Sequence, residues 1–247
     1  MGIQINQVFK RFGSFTAVNG VSVDIEDGEF FVMLGPSGCG KTTTLRMVAG
    51  LELPSEGEIR INGKDVTYEE PRHRDIAMAF QDYGLYPHLS VYDNIAFPLK
   101  IRHVPEQDRR KKVEDTAEKL GIAEFLQRKP GQISGGQRQR IAVARALALK
   151  PDFIILDEAV SALDVLVQDQ VLKLLSELQS ELGLTYLFIT HDLAVVRVIA
   201  DLVCVMEKGR VVEQGTVDEI FANPSEEYTR RLLDAIPGAS ITLGGGV

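Results

Sequence analysis

GPSGCGKT, Gly35 to Thr42, is the stretch that decides the fold. An apolar run, Phe30 to Leu34, stands before it, and a segment that reads as helix, Lys41 to about Gly50, follows. A G-x-x-x-x-G-K-[ST] pattern between strand and helix is a phosphate loop. Its glycines let backbone N–H groups curl around a β-phosphate. Lys41 is expected to reach the β- and γ-phosphates, and Thr42 to offer its hydroxyl to Mg²⁺. The helix start adds its positive end. ATP is the default nucleotide. The candidate nucleotide ligands are Gly35, Pro36, Ser37, Gly38, Cys39, Gly40, Lys41, Thr42 and Thr43, with Cys39 read as a small space-filling residue.

Working outward, 247 residues suffice for one large domain or two small ones, with a sizeable core. Apolar residues make up 45%, ordinary for a globular chain. The net charge of −8 gives no basic footprint, so no nucleic-acid partner is expected. Two cysteines, Cys39 and Cys204, form neither a disulfide framework nor a metal cluster, and the chain reads as intracellular. Gln4, Asn6, Lys10 and Arg11 near the start do not resemble a signal peptide. The most apolar stretch, Val195 to Met206, is interrupted by Arg197 and Asp201 and is too short to span a bilayer. Any membrane role is expected to come through a partner.

Short branched and apolar runs at Ile3–Phe9, Val21–Ile25, Phe30–Leu34 and Ile76–Phe80 read as strands, with another inside PSEGEIRING, Pro54 to Gly63. The pattern over 91–150 is mostly helical, with breaks expected at Pro98, Pro105, Gly121 and Pro130-Gly131. Beyond it come a strand DFIILDE, Asp152 to Glu158, a helix Val165–Leu182, a strand Thr185–Thr190, and a helix Leu193–Ile199. A hairpin over EKGR then joins Leu202–Met206 to Arg210–Gln214. Strand alternating with helix predicts an α/β protein with a largely parallel sheet covered on both faces.

Ligands of such sheets gather at the carboxyl ends of strands. There Asp157 is expected to hold Mg²⁺, directly or through water, and Glu158 to orient or polarise an attacking water.

A phosphate loop and an acidic strand describe many NTPases, and ISGGQRQR, Ile133 to Arg140, narrows the choice. Ser-Gly-Gly at a helix start is a second anion cradle. The stretch resembles the signature motif of the ATP-binding cassette (ABC) transporter ATPases, with Ile133 in place of the usual leucine. Other family motifs follow in order over about residues 3 to 235. Phe12, in KRFG, matches the aromatic that stacks on adenine, with Phe15 as its rival. Gln81 matches the glutamine that senses Mg²⁺ and water and couples to the permease. Ser134, Gly135 and Gly136, with Gln137 beside them, match the residues that close over the γ-phosphate held by the opposite subunit. SALD, Ser161 to Asp164, resembles the loop exchanged across the dimer, and His191 matches the switch histidine on the γ-phosphate.

The resemblance implies a P-loop NTPase fold, with an N-terminal antiparallel β portion and a helical subdomain. The ATPase domain is expected over 1–235, its core 1–83 and 151–235, its helical insert about 84–150, and a short tail 236–247. Glu158, His191, Gln81 and Lys41 are the implied catalytic set, Thr42, Gln81 and Asp157 the implied metal set, and Asp164 joins the nucleotide set. The implied cofactors are ATP and Mg²⁺. The implied partners are a second copy or a paralogous ATPase in a head-to-tail dimer, membrane permease subunits and an extracytoplasmic substrate-binding protein. The chain would sit peripherally on the cytoplasmic face of the membrane and drive import.

The two halves point to different cargo. LGPSGCGKTTTLRMVAGLE and FQDYGLYPHLSVYDNIAFPLK resemble carbohydrate importers. From about Ile154, DEAVSALDV and YTRRLLDAIPG resemble dipeptide and oligopeptide importers, with Ala159 where most cassettes carry proline. The docking region lies in the carbohydrate-like half, which favours carbohydrate; a peptide cargo stays open, as does a hybrid of the two types. The alternatives of another class are a non-transport ABC ATPase and a degenerate nucleotide-binding module.

Overall fold

The computed structural model describes residues 2–80 and 82–235. Gly2–Phe12 (β1) and Phe15–Glu26 (β2) form a hairpin, and Phe30–Leu34 (β3) leads through the Gly35–Gly40 loop into Lys41–Val48 (α1). Glu56–Ile61 (β4), Lys64–Asp65 (β5) and Ile76–Ala79 (β6) precede three helices: Val91–Ile101 (α2), Glu106–Lys119 (α3) and Gly135–Leu147 (α4). Then come Phe153–Asp157 (β7), Val165–Leu182 (α5), Thr185–Thr190 (β8), Leu193–Ile199 (α6), Leu202–Glu207 (β9) and Arg210–Thr216 (β10). Val217–Ala222 (α7) and Glu227–Asp234 (α8) follow. The expected tail, 236–247, lies outside the described residues.

A six-stranded sheet runs β10-β9-β3-β8-β7-β6. β3 is central and parallel to both β8 and β9, while β10 is antiparallel to β9. Strand side chains alternate faces. Phe30, Val32, Leu34, Ile154, Leu156 and Phe188 share a core with residues of α2 to α6. Phe31, Met33, Phe153, Ile155, Leu187 and Ile189 pack on the other side with Leu45 and Val48 of α1 and with Ile3, Ile5 and Val21 of the second sheet. That sheet, ordered β2-β1-β4-β5, is antiparallel. Burial on both faces explains the unbroken apolar runs of β3 and β8.

Two expectations are corrected. β1 and β2 outrun Ile3–Phe9 and Val21–Ile25, with pairing from Gly2↔Glu26 to Phe12↔Phe15. Register shifts near Gln7, which sits at φ 46°, break the two-residue alternation on which a strand reading depends. Pro98 does not break its helix either, because α2 runs through it to Ile101. Proline inside a helix costs about 3 kcal/mol. Burial of Val91, Ile95, Ala96 and Leu99 in the core outweighs that cost.

Arg74 is wholly buried, and nothing in its local sequence signals that. Its guanidinium donates to the carbonyls of Met47 (2.6 Å) and Val48 (2.7 Å) and also to those of Glu69 (3.0 Å) and Thr67 (3.2 Å). A cation on the terminal carbonyls of α1 satisfies them and complements the helix dipole. The opposite end of α1 faces the phosphate loop. No helix among the described residues is long and apolar enough to cross a membrane.

Candidate functional site

β3 delivers the loop at the carboxyl edge of the sheet. A Cβ on Gly35 would lie 2.4 Å from the Met206 carbonyl oxygen and 2.8 Å from Cys39 Sγ, so only glycine fits between β9 and the loop. Gly40 has φ 106°, and a Cβ there would lie 2.6 Å from the Ala17 carbonyl oxygen. Gly40 is also the N-cap of α1; it has no side chain to cap with, and the first turn holds no acid. The N–H groups of Lys41, Thr42 and Thr43 therefore lack acceptors within the helix and form a positive end suited to an anion. Pro36, Ser37 and Gly38 form the exposed crest.

Lys41 is buried. Its Nζ donates to the carbonyls of Gly35 (2.6 Å) and Pro36 (2.9 Å) and lies 3.8 Å from Cys39 Sγ. Thr42 Oγ1 donates to Asp157 Oδ1 at 3.4 Å. Burial pushes the Asp157 carboxyl above its ordinary range, and the neighbouring Glu158 charge adds to this; Thr42, Lys41 and Arg46 oppose both. Glu158 has φ 46°. Its N–H donates to the Ile189 carbonyl (3.0 Å), and its own carbonyl accepts from Ser161 N–H (3.1 Å) and Oγ (2.9 Å). These bonds over-determine a backbone that a non-glycine residue rarely adopts. The side chain meets His191, with Nδ1 and Oε1 3.3 Å apart. The structure thus brings Lys41, Thr42, Asp157, Glu158 and His191 together at the ends of β3, β7 and β8.

Ser134, Gly135, Gly136 and Gln137 lie on a different element. Ser134 caps α4: its Oγ accepts from Gln137 N–H (3.3 Å), and Gln137 Oε1 accepts from Ser134 N–H (2.8 Å). A Cβ on Gly136 would lie 2.3 Å from Val167 Cγ1, so α4 and α5 approach where no side chain intervenes. Gly136→Ala is expected to cost about 1–3 kcal/mol from overpacking. A drop of several degrees in Tm follows for a chain of this size, and Val167→Ala in the same chain should restore most of it. Thermal unfolding of the single and double variants checks this.

Asp164 caps α5, its Oδ1 accepting from Val167 N–H at 3.0 Å. Phe12 is 48% exposed at the β1–β2 tip, opposite Phe15 at 62%. Lys10 Nζ sits over one face of the Phe12 ring, 4.9 Å from its centroid. β2 then runs to Ala17, whose carbonyl abuts Gly40, so the hairpin stands beside the loop. Gln81 lies outside the described residues.

An apolar groove of about 310 Å³ opens near the end of β6, lined by Leu51, Phe80, Gly84, Tyr86, Phe97 and Arg145, among others. Sequence reasoning placed an interaction surface here but missed Tyr83 and Arg145, whose contacts to each other have no signature in local spacing. Cys204, deep in β9, has its thiol pushed up to about 12 by burial, which leaves it unreactive.

A central phosphate loop, a strand-terminal acidic pair and a parallel sheet define a P-loop NTPase. The sequence profile of the ABC transporter family matches residues 18–161; the chain belongs to that family. It is 46% identical to the trehalose/maltose import ATP-binding protein MalK of Thermococcus litoralis, over 96% of this chain and 65% of the relative. It is 44% identical to the spermidine/putrescine import ATP-binding protein PotA of Pseudomonas aeruginosa, over 94% of this chain and 66% of the relative. The chain therefore spans just under two thirds of the length of these relatives. A dimeric ATP-binding cassette in a post-hydrolysis state with ADP and Pi superposes with TM-score 0.77 and 31% identity, covering 87% of this chain and 98% of the other. The described architecture is that of an ABC nucleotide-binding domain, a P-loop core joined to an antiparallel sheet and a helical part.

Proposed function

We propose that the chain binds and hydrolyses ATP to drive import of a carbohydrate through a partner membrane permease, working from the cytoplasmic face. The observation that carries this reading is the convergence of Lys41, Thr42, Asp157, Glu158 and His191 on one edge of the sheet, beside an uncapped helix start.

In this reading, the N–H groups of the Gly35–Thr43 loop hold the β-phosphate, and Lys41 turns from its loop carbonyls to the β- and γ-phosphates. Phe12 stacks on adenine with the ring face that Lys10 leaves open. Thr42 Oγ1 and Asp157 Oδ1, oxygens 3.4 Å apart, suit Mg²⁺, which takes one or two protein ligands and completes its shell with phosphate and water. Gln81 is assigned to the same metal and to the attacking water. Mg²⁺, when bound, neutralises charge on the phosphates. Glu158 orients the water and accepts its proton as the oxygen attacks the γ-phosphorus, releasing ADP and phosphate. His191 contacts the γ-phosphate and steadies Glu158. The core over 1–83 and 151–235 carries these groups, and the insert of about 84–150 carries the signature.

Ser134, Gly135, Gly136 and Gln137 are assigned to the ATP of the opposing subunit, a second copy or a paralogue, with Asp164 near the exchanged loop. Ser134→Arg should then abolish most hydrolysis while the isolated monomer binds ATP as before, measured by nucleotide titration and phosphate release. Loss of monomer binding would show that Ser134 acts within its own chain.

The groove beside β6 is assigned to the permease, and an extracytoplasmic binding protein completes the importer. Similarity to the trehalose/maltose protein and the carbohydrate-like residues around the groove support the cargo. Similarity to spermidine/putrescine import proteins makes a polyamine the second reading. Purification from native membranes with mass spectrometry of the co-purifying permease separates the two. ATP turnover absent from both the chain and its complex would overturn the proposal.

A further inference from the structure

We propose that Arg145 is a positioning residue that, through Tyr83, ties the floor of the apolar groove to the start of α4, so that the two move as one body. The inference rests on the reading of the groove as the seat of the permease.

Three contacts on one short segment carry it. Arg145, in the last turn of α4, donates from Nη1 to the Gly84 carbonyl (2.5 Å) and from Nη2 to the Tyr83 carbonyl (3.2 Å). Arg138, two helical turns earlier, lays its guanidinium over the Tyr83 ring, 5.4 Å from the centroid. The Tyr83 hydroxyl reaches the first residue of α4, where a Cβ on Gly135 would stand 3.3 Å away. Tyr83 thus lies along α4, its carbonyl gripped from one end and its hydroxyl against the other. Gly84 and Arg145 themselves line the groove, with Tyr86 two residues on.

The backbone gives an independent sign. Tyr83 has φ 64° and Gly84 φ 55°, two successive left-handed residues. Left-handed backbone costs a tyrosine free energy and persists only where its surroundings enforce it. The fork of Arg145 provides that enforcement, since one planar guanidinium fixes both carbonyls at once. A Cβ on Gly84 would meet Arg145 Nη2 at 3.2 Å and Phe80 Cδ2 at 3.1 Å, so the segment is closed on both sides. A displacement of the α4 start on nucleotide closure is transmitted along Tyr83 to the groove floor.

Arg145→Lys is the test, because a lysine keeps the charge and holds at most one of the two carbonyls. Amide hydrogen exchange in the isolated chain reads the strut alone. Residues 82–86 should exchange about tenfold faster than in wild type, the size set by one charge-assisted hydrogen bond, with 135–147 unchanged. Turnover reads the coupling. In the complex purified from native membranes, stimulation of ATP hydrolysis over the isolated chain should fall by a similar factor, about tenfold, while the Kd for ATP stays at the wild-type value. Unchanged exchange together with unchanged stimulation overturns the inference, as does a Kd that weakens in step with stimulation, which marks a general structural role. If the wild-type complex shows no stimulation, the permease reading falls instead, and the exchange result alone decides the strut.

Discussion

Glu158→Gln should bind ATP as wild type does and lose most turnover, by about 10²- to 10⁴-fold, the range for removing a positioned general base. The amide keeps the volume of the side chain. The backbone stays pinned, because its partners are the Ile189 carbonyl and Ser161, not the carboxylate. What is lost is the ability to accept a proton from water and the charge beside His191 Nδ1, 3.3 Å away. With hydrolysis stopped, the nucleotide-bound dimer should persist, seen as a shift of the purified variant to dimer with Mg²⁺-ATP on size-exclusion chromatography. Phosphate release at the wild-type rate would remove Glu158 from the catalytic assignment.

Lys41→Ala should raise the Kd for ATP by about 10²-fold, the worth of one or two charge-assisted contacts to phosphate. A second effect comes from burial. The Nζ satisfies the Gly35 and Pro36 carbonyls, and alanine leaves both without that donor. Unpaired polar groups in a buried setting cost about 1–3 kcal/mol, so Tm without nucleotide should also fall. Lys41→Arg separates the effects. It returns a cation but changes its shape, so Tm should recover further than affinity. Wild-type ATP affinity in Lys41→Ala, by fluorescence titration, would exclude the loop as the phosphate site.

The sequence predicts the second half of the fold closely: Val165–Leu182, Thr185–Thr190 and Leu193–Ile199 are expected and observed with the same bounds. Each is delimited by a local signal, with Asp164 and Asp192 as helix caps and Gly183 as a left-handed stop. Pro98 misleads because its penalty is local while the burial that outweighs it is tertiary. Of the site, the loop and acidic pair are visible because the roles proposed for them need particular residues in consecutive order. Arg74 and Arg145 are not visible. Arg74 reaches the distant carbonyls of Met47 and Val48, and Arg145 those of Tyr83 and Gly84, and a carbonyl carries no residue identity. Gly136 shows as part of a motif, but the packing against Val167 emerges only when two helices are set side by side.

β3 lies between β8 and β9, strands that the chain supplies only after α1 to α5 and β4 to β7. On a ribosome, the phosphate loop emerges after the β1–β2 hairpin but before its other supports: the Met206 carbonyl that crowds Gly35 is not yet made, nor is Ile189, which holds Glu158. Long-range parallel pairing is slow to form and exposes apolar edges meanwhile. The nascent chain must therefore carry Phe30–Leu34 as an unpaired, strongly apolar segment until β8 and β9 have been made. A growing chain arrested before β9 should fail to retain nucleotide and should recruit holdase chaperones, and competence should appear abruptly once that strand has cleared the exit tunnel.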